Sequence, residues 1–285
     1  MASILMNKLD KYIRIMNYHD LEKDRIINID GCDFITPVFL APLMNFIYNH
    51  KKSIKHHKDP KVDDYLQRVL GLKKHTDTTL PFRWLDETTD NSEELTKDIL
   101  EIIQPINEMS QALKYIFYEL INNVYDHSEF DNGFVIGQNY PRTNNSDFCF
   151  MDNGISIPGS LKEYGFTFRN DCEAIIKAVN GLSRIHGEEY VGRGTGLNTV
   201  INIVVQGANG NVIIASGTGV VEITKSKVYA KHVPENYIGG TLVGLRLNSN
   251  KSINVYNHME GIEYNLPKKM KPPKKIKSRR KKDIE

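Results

Sequence analysis

The 285-residue chain is predicted to fold as an α+β two-layer sandwich, with helices on one face of a mixed sheet. Three observations carry that expectation. Segments of helical and strand character follow one another as two helices, two strands, a long loop, a helix and three strands. One long helical segment sets Leu113, Ile116, Phe117, Leu120 and Val124 on a single apolar stripe, the mark of a helix laid on a core. The strand segments are short apolar runs bounded by turn residues, as in Phe148-Cys-Phe-Met151 before Asp152-Asn-Gly154.

Residues 1–23 are charged and helix-capable, and 25–29 form a short strand candidate before the turn at 30–33. Thr36-Pro37 has the form of an N-cap followed by proline at the first helical position. That helix runs to Tyr48 and must accommodate Pro42 by a kink or in its first turn. Residues 50–64 read as a basic loop, 64–72 as a short helix and 80–85 as an apolar junction. The acidic, Thr-rich stretch 86–94 is the best linker, separating an N-terminal region (1–90) from a main domain (91–250). Helical periodicity resumes at Leu95, Ile99, Ile102 and Ile103, breaks at Pro105, and returns in the helix that holds Glu119. Strands are expected at 133–139 and 147–152. A loop at 153–194 contains one helical patch (172–179), and a helix at 195–206 opens directly after glycines. Strands follow at 211–215, 220–224 and 241–247.

Hydrophobic content of 40% and charged content of 25% suit a globular chain with an ample core. There is no run of eighteen apolar residues, so no membrane span is expected, and the start lacks the h-region and cleavage site of a secretory signal. Cys32, Cys149 and Cys172 are far apart and odd in number, which points to reduced thiols and a cytoplasmic location rather than disulfides or zinc. The net charge of +2 is uneven: residues 268–285 hold ten Lys/Arg and two acids, so the rest of the chain is acidic. Residues 251–285 are therefore expected to be a disordered basic tail, able to meet nucleic acid or an acidic partner, although the body offers no matching basic patch.

Four short stretches carry candidate chemistry. Glu119, Asn123, Asp126 and His127 share a polar stripe beside the apolar one, where an acid and an amide one turn apart suit a phosphate-bound Mg²⁺ and an attacking nucleophile. Asp152-Asn-Gly-Ile-Ser-Ile157 ends a strand, and Gly154 allows the close approach of a flat ligand whose exocyclic amine Asp152 could accept. Taken alone, that stretch is ordinary turn chemistry. Gly192-Arg193-Gly194-Thr195-Gly196-Leu197 opens a helix with exposed N–H groups and phosphate-suited side chains. It is neither a P-loop nor a Rossmann fingerprint. Gly239-Gly240-Thr241 opens a strand.

In this order and spacing the four stretches resemble the GHKL ATP-binding family, which includes gyrase, the large heat-shock chaperones, histidine kinases and mismatch-repair ATPases. The likeness covers about residues 95–250. It implies a Bergerat-type fold that binds ATP and Mg²⁺ between sheet and helices under a lid, here 159–191. By that resemblance Asn123 holds Mg²⁺ and touches phosphate, with Asp126 and His127 beside it. Asp152 binds the adenine amine, supported by Gly154, Ile157 and Thr241, and residues 192–197 wrap the phosphates. Glu119 stands where hydrolysing and serine-kinase branches place their general base. Ser156 departs from the family's usual glycine.

No His-Glu-x-x-Arg-Thr-Pro box precedes the domain, so a histidine-kinase-like sensor component fits less well than a serine kinase of the anti-sigma-factor type or an ATPase. A non-catalytic ATP-gated interaction switch is the alternative. Residues 26–48 resemble, weakly, part of a STAS domain, with Pro37 where that family carries its phosphoacceptor serine. The partners so implied are a protein, of STAS fold, and a second copy of the chain.

Overall fold

Seven strands pair into one sheet in the computed structural model, which describes residues 3–20, 22–85, 92–103, 107–182, 196–233, 235, 238–248, 251–268 and 270. In chain order the elements are α1 (Ile4–Tyr18), β1 (Ile26–Ile27), α2 (Pro37–Asn49), β2 (Ser53–Ile54), α3 (Pro60–Val69), β3 (Thr79–Leu85), α4 (Ser92–Ile103), α5 (Asn107–His127), β4 (Gly133–Tyr140) and β5 (Asn145–Asp152). There follow α6 (Ile157–Glu163), α7 (Asp171–Val179), α8 (Gly196–Asn202), β6 (Asn211–Ser216), β7 (Gly219–Thr224), β8 (Val228–His232) and β9 (Thr241–Asn248). The fold is α+β, as expected.

The sheet order is β3-β4-β5-β9-β6-β7-β8. Every pairing in it is antiparallel, so the expected mixed sheet is corrected. Hairpins impose this for two of the pairings: β4 joins β5 through a short 3-10 turn ending at Asn144 (φ 51°), and β6 joins β7 through Gly217 (φ 59°). Connections that short cannot return a strand in parallel.

Helices also cover both faces, not one. Val135, Phe148, Phe150, Val212, Ile214, Val221 and Leu245 face a core built with α4, α5, α7 and α8. Their neighbours Phe134, Ile136, Cys149, Met151, Ile213, Ala215 and Val220 face a second core, built with α1, α2 and α3. The strands are apolar on both pleat faces, so each face must be covered. The residues expected to form a separate N-terminal region supply the second cover, and β3, read from sequence as a junction, is the sheet's edge strand.

α1 is fastened by an acid from the sheet. Its N-cap Ser3 makes no local side-chain cap, and its first turn holds no acid. Glu222 of β7, with no exposed surface, accepts instead from the Leu5 and Met6 amides at 3.2 and 2.7 Å, from Asn211 Nδ2 at 2.9 Å and from the Ser3 hydroxyl. A carboxylate at a helix N-terminus is favoured by the unpaired N–H groups and the dipole. Further along α1, Lys8 Nζ donates to buried Asp147 at 2.6 Å, and Arg246 grips the same carboxylate at 2.7 and 2.9 Å. Glu222→Ala should destabilise the protein by about 2–4 kcal/mol, because it orphans buried donors on α1. Urea unfolding measures this, and an unchanged midpoint would remove Glu222 from the account.

Local differences from expectation have local causes. Thr36 holds the N-cap position of α2, but its hydroxyl makes no cap bond and is buried without a partner. Pro42 lies inside α2, which continues through it. The stretch expected to be loop at 157–163 is α6. The chain from 251, expected to be a tail, packs on the core at Ile253, Val255, Tyr264, Leu266 and Met270, with Ile253 and Tyr264 buried. Among the described residues, no helix is long and apolar enough to cross a membrane.

Candidate functional site

The site is built from the ends of elements. In α5 the expected apolar stripe is buried throughout: Leu113, Ile116, Phe117, Leu120 and Val124. Glu119 lies beside it, half-buried. Burial holds its carboxyl above the usual range; a hydrogen bond from Tyr115 pulls it back in part, and the charge of Asp126 pushes it up. Tyr115 also hydrogen-bonds Thr199 of α8. One turn on from Glu119, Asn123 has its Nδ2 buried without a partner. Asp126 is exposed. His127 is the last residue of α5, and its side chain lies outside the described residues.

α8 begins against this carboxylate. A Cβ placed on Gly196 would lie 1.7 Å from Glu119 Oε2, so the first residue of the helix must be glycine for Glu119 to occupy its position. The following residue, Leu197, is half-buried and packs on the core. Gly192, Arg193, Gly194 and Thr195 lie outside the described residues. Gly196→Ala should move the Glu119 side chain rather than unfold the chain, since the obstructed atom ends a flexible side chain. The expected result is a midpoint within about 1 kcal/mol of wild type and an altered Glu119 titration by NMR. An unaltered titration would contradict the contact.

Asp152 closes β5 and is 3% exposed. Its carboxylate accepts from the Gly154 amide at 3.0 Å and from the Thr241 amide. Burial outweighs both bonds and raises its pKa to about 7. Gly154 is required by a backbone contact: a Cβ there would lie 1.9 Å from the Ser128 carbonyl, which accepts the Ile155 amide at 2.5 Å. The end of α5 and the strand-ending box are thus in direct contact. Ser156, the departure from the glycine pattern, has φ −68° and caps α6, accepting the Gly159 amide at 3.1 Å. Its backbone does not need glycine. Ile157 opens α6, half-buried, and its amide donates to Ser216 Oγ at 2.9 Å.

Thr241 pairs with Asp152 across β9 and β5. Its hydroxyl meets Ser216 Oγ at 3.0 Å, and Ser216 also reaches the Gly240 carbonyl at 3.3 Å. Gly240 has φ +137°, and a Cβ there would lie 2.0 Å from the Asp152 carbonyl, so glycine is obligatory. Asn45 and Asn49 of α2 secure this corner. Asn45 Nδ2 donates to the Ile238 and Gly239 carbonyls at 2.9 and 3.1 Å, and Asn153 Nδ2 donates to Asn49 Oδ1 at 3.2 Å.

Two groupings therefore form. Glu119 joins Tyr115, Thr199 and Gly196, and Asp152 joins Gly154, Thr241 and Ser216; Ser128, just beyond α5, ties the strand-ending box to the helix. Ser128, Ser216, Tyr115, Thr199, Asn45 and Asn49 were not expected from sequence. Only Tyr115, four residues before Glu119, and Asn45/Asn49, four apart on α2, carry a readable helical signal. The first part of the expected lid, 159–182, forms α6 and α7, with Cys172, Ala174, Ile175 and Val179 buried; 183–191 lie outside the described residues. A cavity of about 890 Å³ opens between α4 and α5 and meets this site only at Tyr115. Among the described residues no group of three His, Cys, Asp or Glu side chains could hold a metal. Compared with protein-family models, with curated proteins and with solved structures, the chain matches none.

Proposed function

We propose that the chain binds Mg-ATP in a Bergerat-type site and uses it for phosphotransfer to a protein partner or for hydrolysis. The observation that carries this reading is convergence. The chain just beyond α5 meets the strand-ending box at Ser128 and Gly154, that box meets Gly240 and Thr241, and α8 meets Glu119 at Gly196; backbone contacts demand glycine at Gly154 and Gly240, and at Gly196 its absence of a side chain leaves room for the Glu119 carboxylate. Ordinary turns have no reason to meet in this way.

Roles follow from each residue's chemistry. Asp152, buried and aimed from a strand end, accepts a hydrogen bond from the exocyclic amine of adenine, and Thr241 and Ser216 fix its rim. Asn123 fits the cation: its side-chain oxygen is a hard ligand, and its buried Nδ2 is a donor in need of an acceptor such as a phosphate oxygen. Bound there, Mg²⁺ would neutralise phosphate charge. Glu119 takes the proton of the attacking water or hydroxyl, and its raised pKa brings a carboxylate nearer the neutral range where a base works best. α5 and α8 hold that carboxylate between Tyr115 and Gly196. The STAS-like reading of the N-terminal segment belongs here too, and it makes α2 an internal neighbour of the adenine end through Asn45 and Asn49.

Measuring Mg-ATP affinity for wild type and Asp152→Asn tests the assignment. Loss of binding in the variant is expected, and undiminished affinity would sink it. A non-catalytic ATP-gated switch shares every binding contact and differs only at Glu119.

A further inference from the structure

Residues 260–264 run extended across α7 and α8, and they are held by their backbone. Glu260, Gly261, Ile262 and Glu263 are exposed, and only Tyr264 is buried. Three asparagines make the contacts. Asn180, at the end of α7, donates to the Tyr264 carbonyl at 2.8 Å and accepts its amide at 2.9 Å. Asn198 of α8 donates to the Ile262 carbonyl at 2.9 Å and accepts its amide at 3.1 Å. Asn202, one turn further, donates to the Glu260 carbonyl at 2.9 Å and accepts the Tyr264 hydroxyl at 2.6 Å. The residues so read are 260, 262 and 264. Alternate residues of an extended chain present their backbone groups to one side, so the amides stand in for the neighbouring strand of a ladder. Each side-chain amide has one donor group and one acceptor, which matches a backbone N–H and C=O pair.

The same asparagines order the site. Asn198 Nδ2 also donates to the Val179 carbonyl at 3.0 Å, joining α8 to α7, and Asn202 donates to Asn198 Oδ1 at 3.0 Å. On the same short helix Gly196 meets Glu119 and Thr199 meets Tyr115.

We propose that α7 and α8 form a groove that reads the backbone of an extended peptide, that the chain's own residues 260–264 occupy it, and that this occupancy sets α8 against Glu119. Asn180, Asn198 and Asn202 are then positioning residues, acting on Glu119 through α8. The groove is largely indifferent to side chains except at Tyr264. The second half of the proposal rests on the ATP reading; the first does not.

The test uses the full chain with a specific protease site placed at residues 249–250 and cut after folding. A labelled synthetic peptide of residues 251–270 should exchange into the nicked protein. The same peptide N-methylated at Ile262 and Tyr264 should compete roughly 100-fold less well, because the Asn198 and Asn180 side-chain oxygens lose these donors and a methyl group fills each contact. Equal competition by the two peptides, or a fragment that leaves after cleavage and does not rebind at micromolar concentration, would overturn the groove. In the intact chain Asn198→Ala should lower kcat by about tenfold or more while Mg-ATP affinity stays within about twofold. It should also move the acid limb of kcat toward the ordinary carboxylate range, as Glu119 becomes more solvated. An unmoved acid limb would overturn the positioning role. Absence of ATP turnover in the wild type would overturn the proposed function, whereas peptide exchange decides the groove without nucleotide.

Discussion

Glu119→Gln should lower ATP turnover or phosphotransfer by about 10²- to 10⁴-fold, the usual worth of a positioned general base, while Mg-ATP affinity stays near wild type. The carboxylate sits half-buried on α5, takes a hydrogen bond from Tyr115 and lies against Gly196, the first residue of α8. Glutamine preserves the size and the acceptor but cannot take a proton. The wild-type kcat should fall on the acid side of a limb that lies above the ordinary glutamate range, because burial raises this carboxyl. Steady-state kinetics of both proteins across pH checks the statement. If both bind Mg-ATP and neither turns it over, the chain is a nucleotide-gated switch.

Asp152→Asn should abolish adenine-nucleotide binding and, independently, change how stability depends on pH. The sign follows from the raised pKa. A carboxyl near 3.8 in the unfolded chain and about 7 in the folded one binds more protons when folded between those values. Its contribution is fully present below about pH 4 and is lost as pH rises through about 7. The loss is of the order of 4 kcal/mol at full extent. Asparagine has no such titration, so the variant should lack the decline, and its advantage over wild type should grow from acid to neutral pH. Urea unfolding of both proteins from about pH 5 to pH 8 measures the difference. Parallel pH profiles would mean that Asp152 is not the buried acid described here. Binding carries the linked sign: the ionised form accepts the adenine amine more strongly than the protonated one, so adenosine should bind more weakly at pH 6 than at pH 8.

Much of this architecture is legible one element at a time. The helical period of Leu113, Ile116, Phe117, Leu120 and Val124 identifies α5, and turn residues bracket β4, β5, β6, β7 and β9, because these signals are local. The covering of both sheet faces is written in Phe148-Cys-Phe-Met151 and Val212-Ile-Ile-Ala215, which do not alternate with polar residues; a single covered face would have needed alternation. α6 is only seven residues long, and its start, Ser156-Ile-Pro158, is a capping signal that the glycines around it obscure. β8 reads Val-Tyr-Ala-Lys-His and is half-buried throughout, so it offers neither an apolar run nor a clean alternation. In the site, Gly154 and Gly240 are visible because backbone contact demands glycine. The hydroxyl of Ser216 and the amide of Asn180 are not. Polar side chains that satisfy a distant backbone leave no period in the sequence, and the strap at 260–264, held by its backbone, leaves none either.

Binding of Mg-ATP against Mg-GTP by the wild-type chain separates an adenine site at Asp152 from the absence of one. A carboxylate at the strand end accepts from adenine's exocyclic amine, whereas guanine presents an oxygen at that position and would face Asp152 acceptor to acceptor. Calorimetric titration should give saturable binding of Mg-ATP and at least about 100-fold weaker binding of Mg-GTP, the discrimination of a buried polar group left unpaired. Equal affinity for the two nucleotides, or no binding of either, would contradict the account.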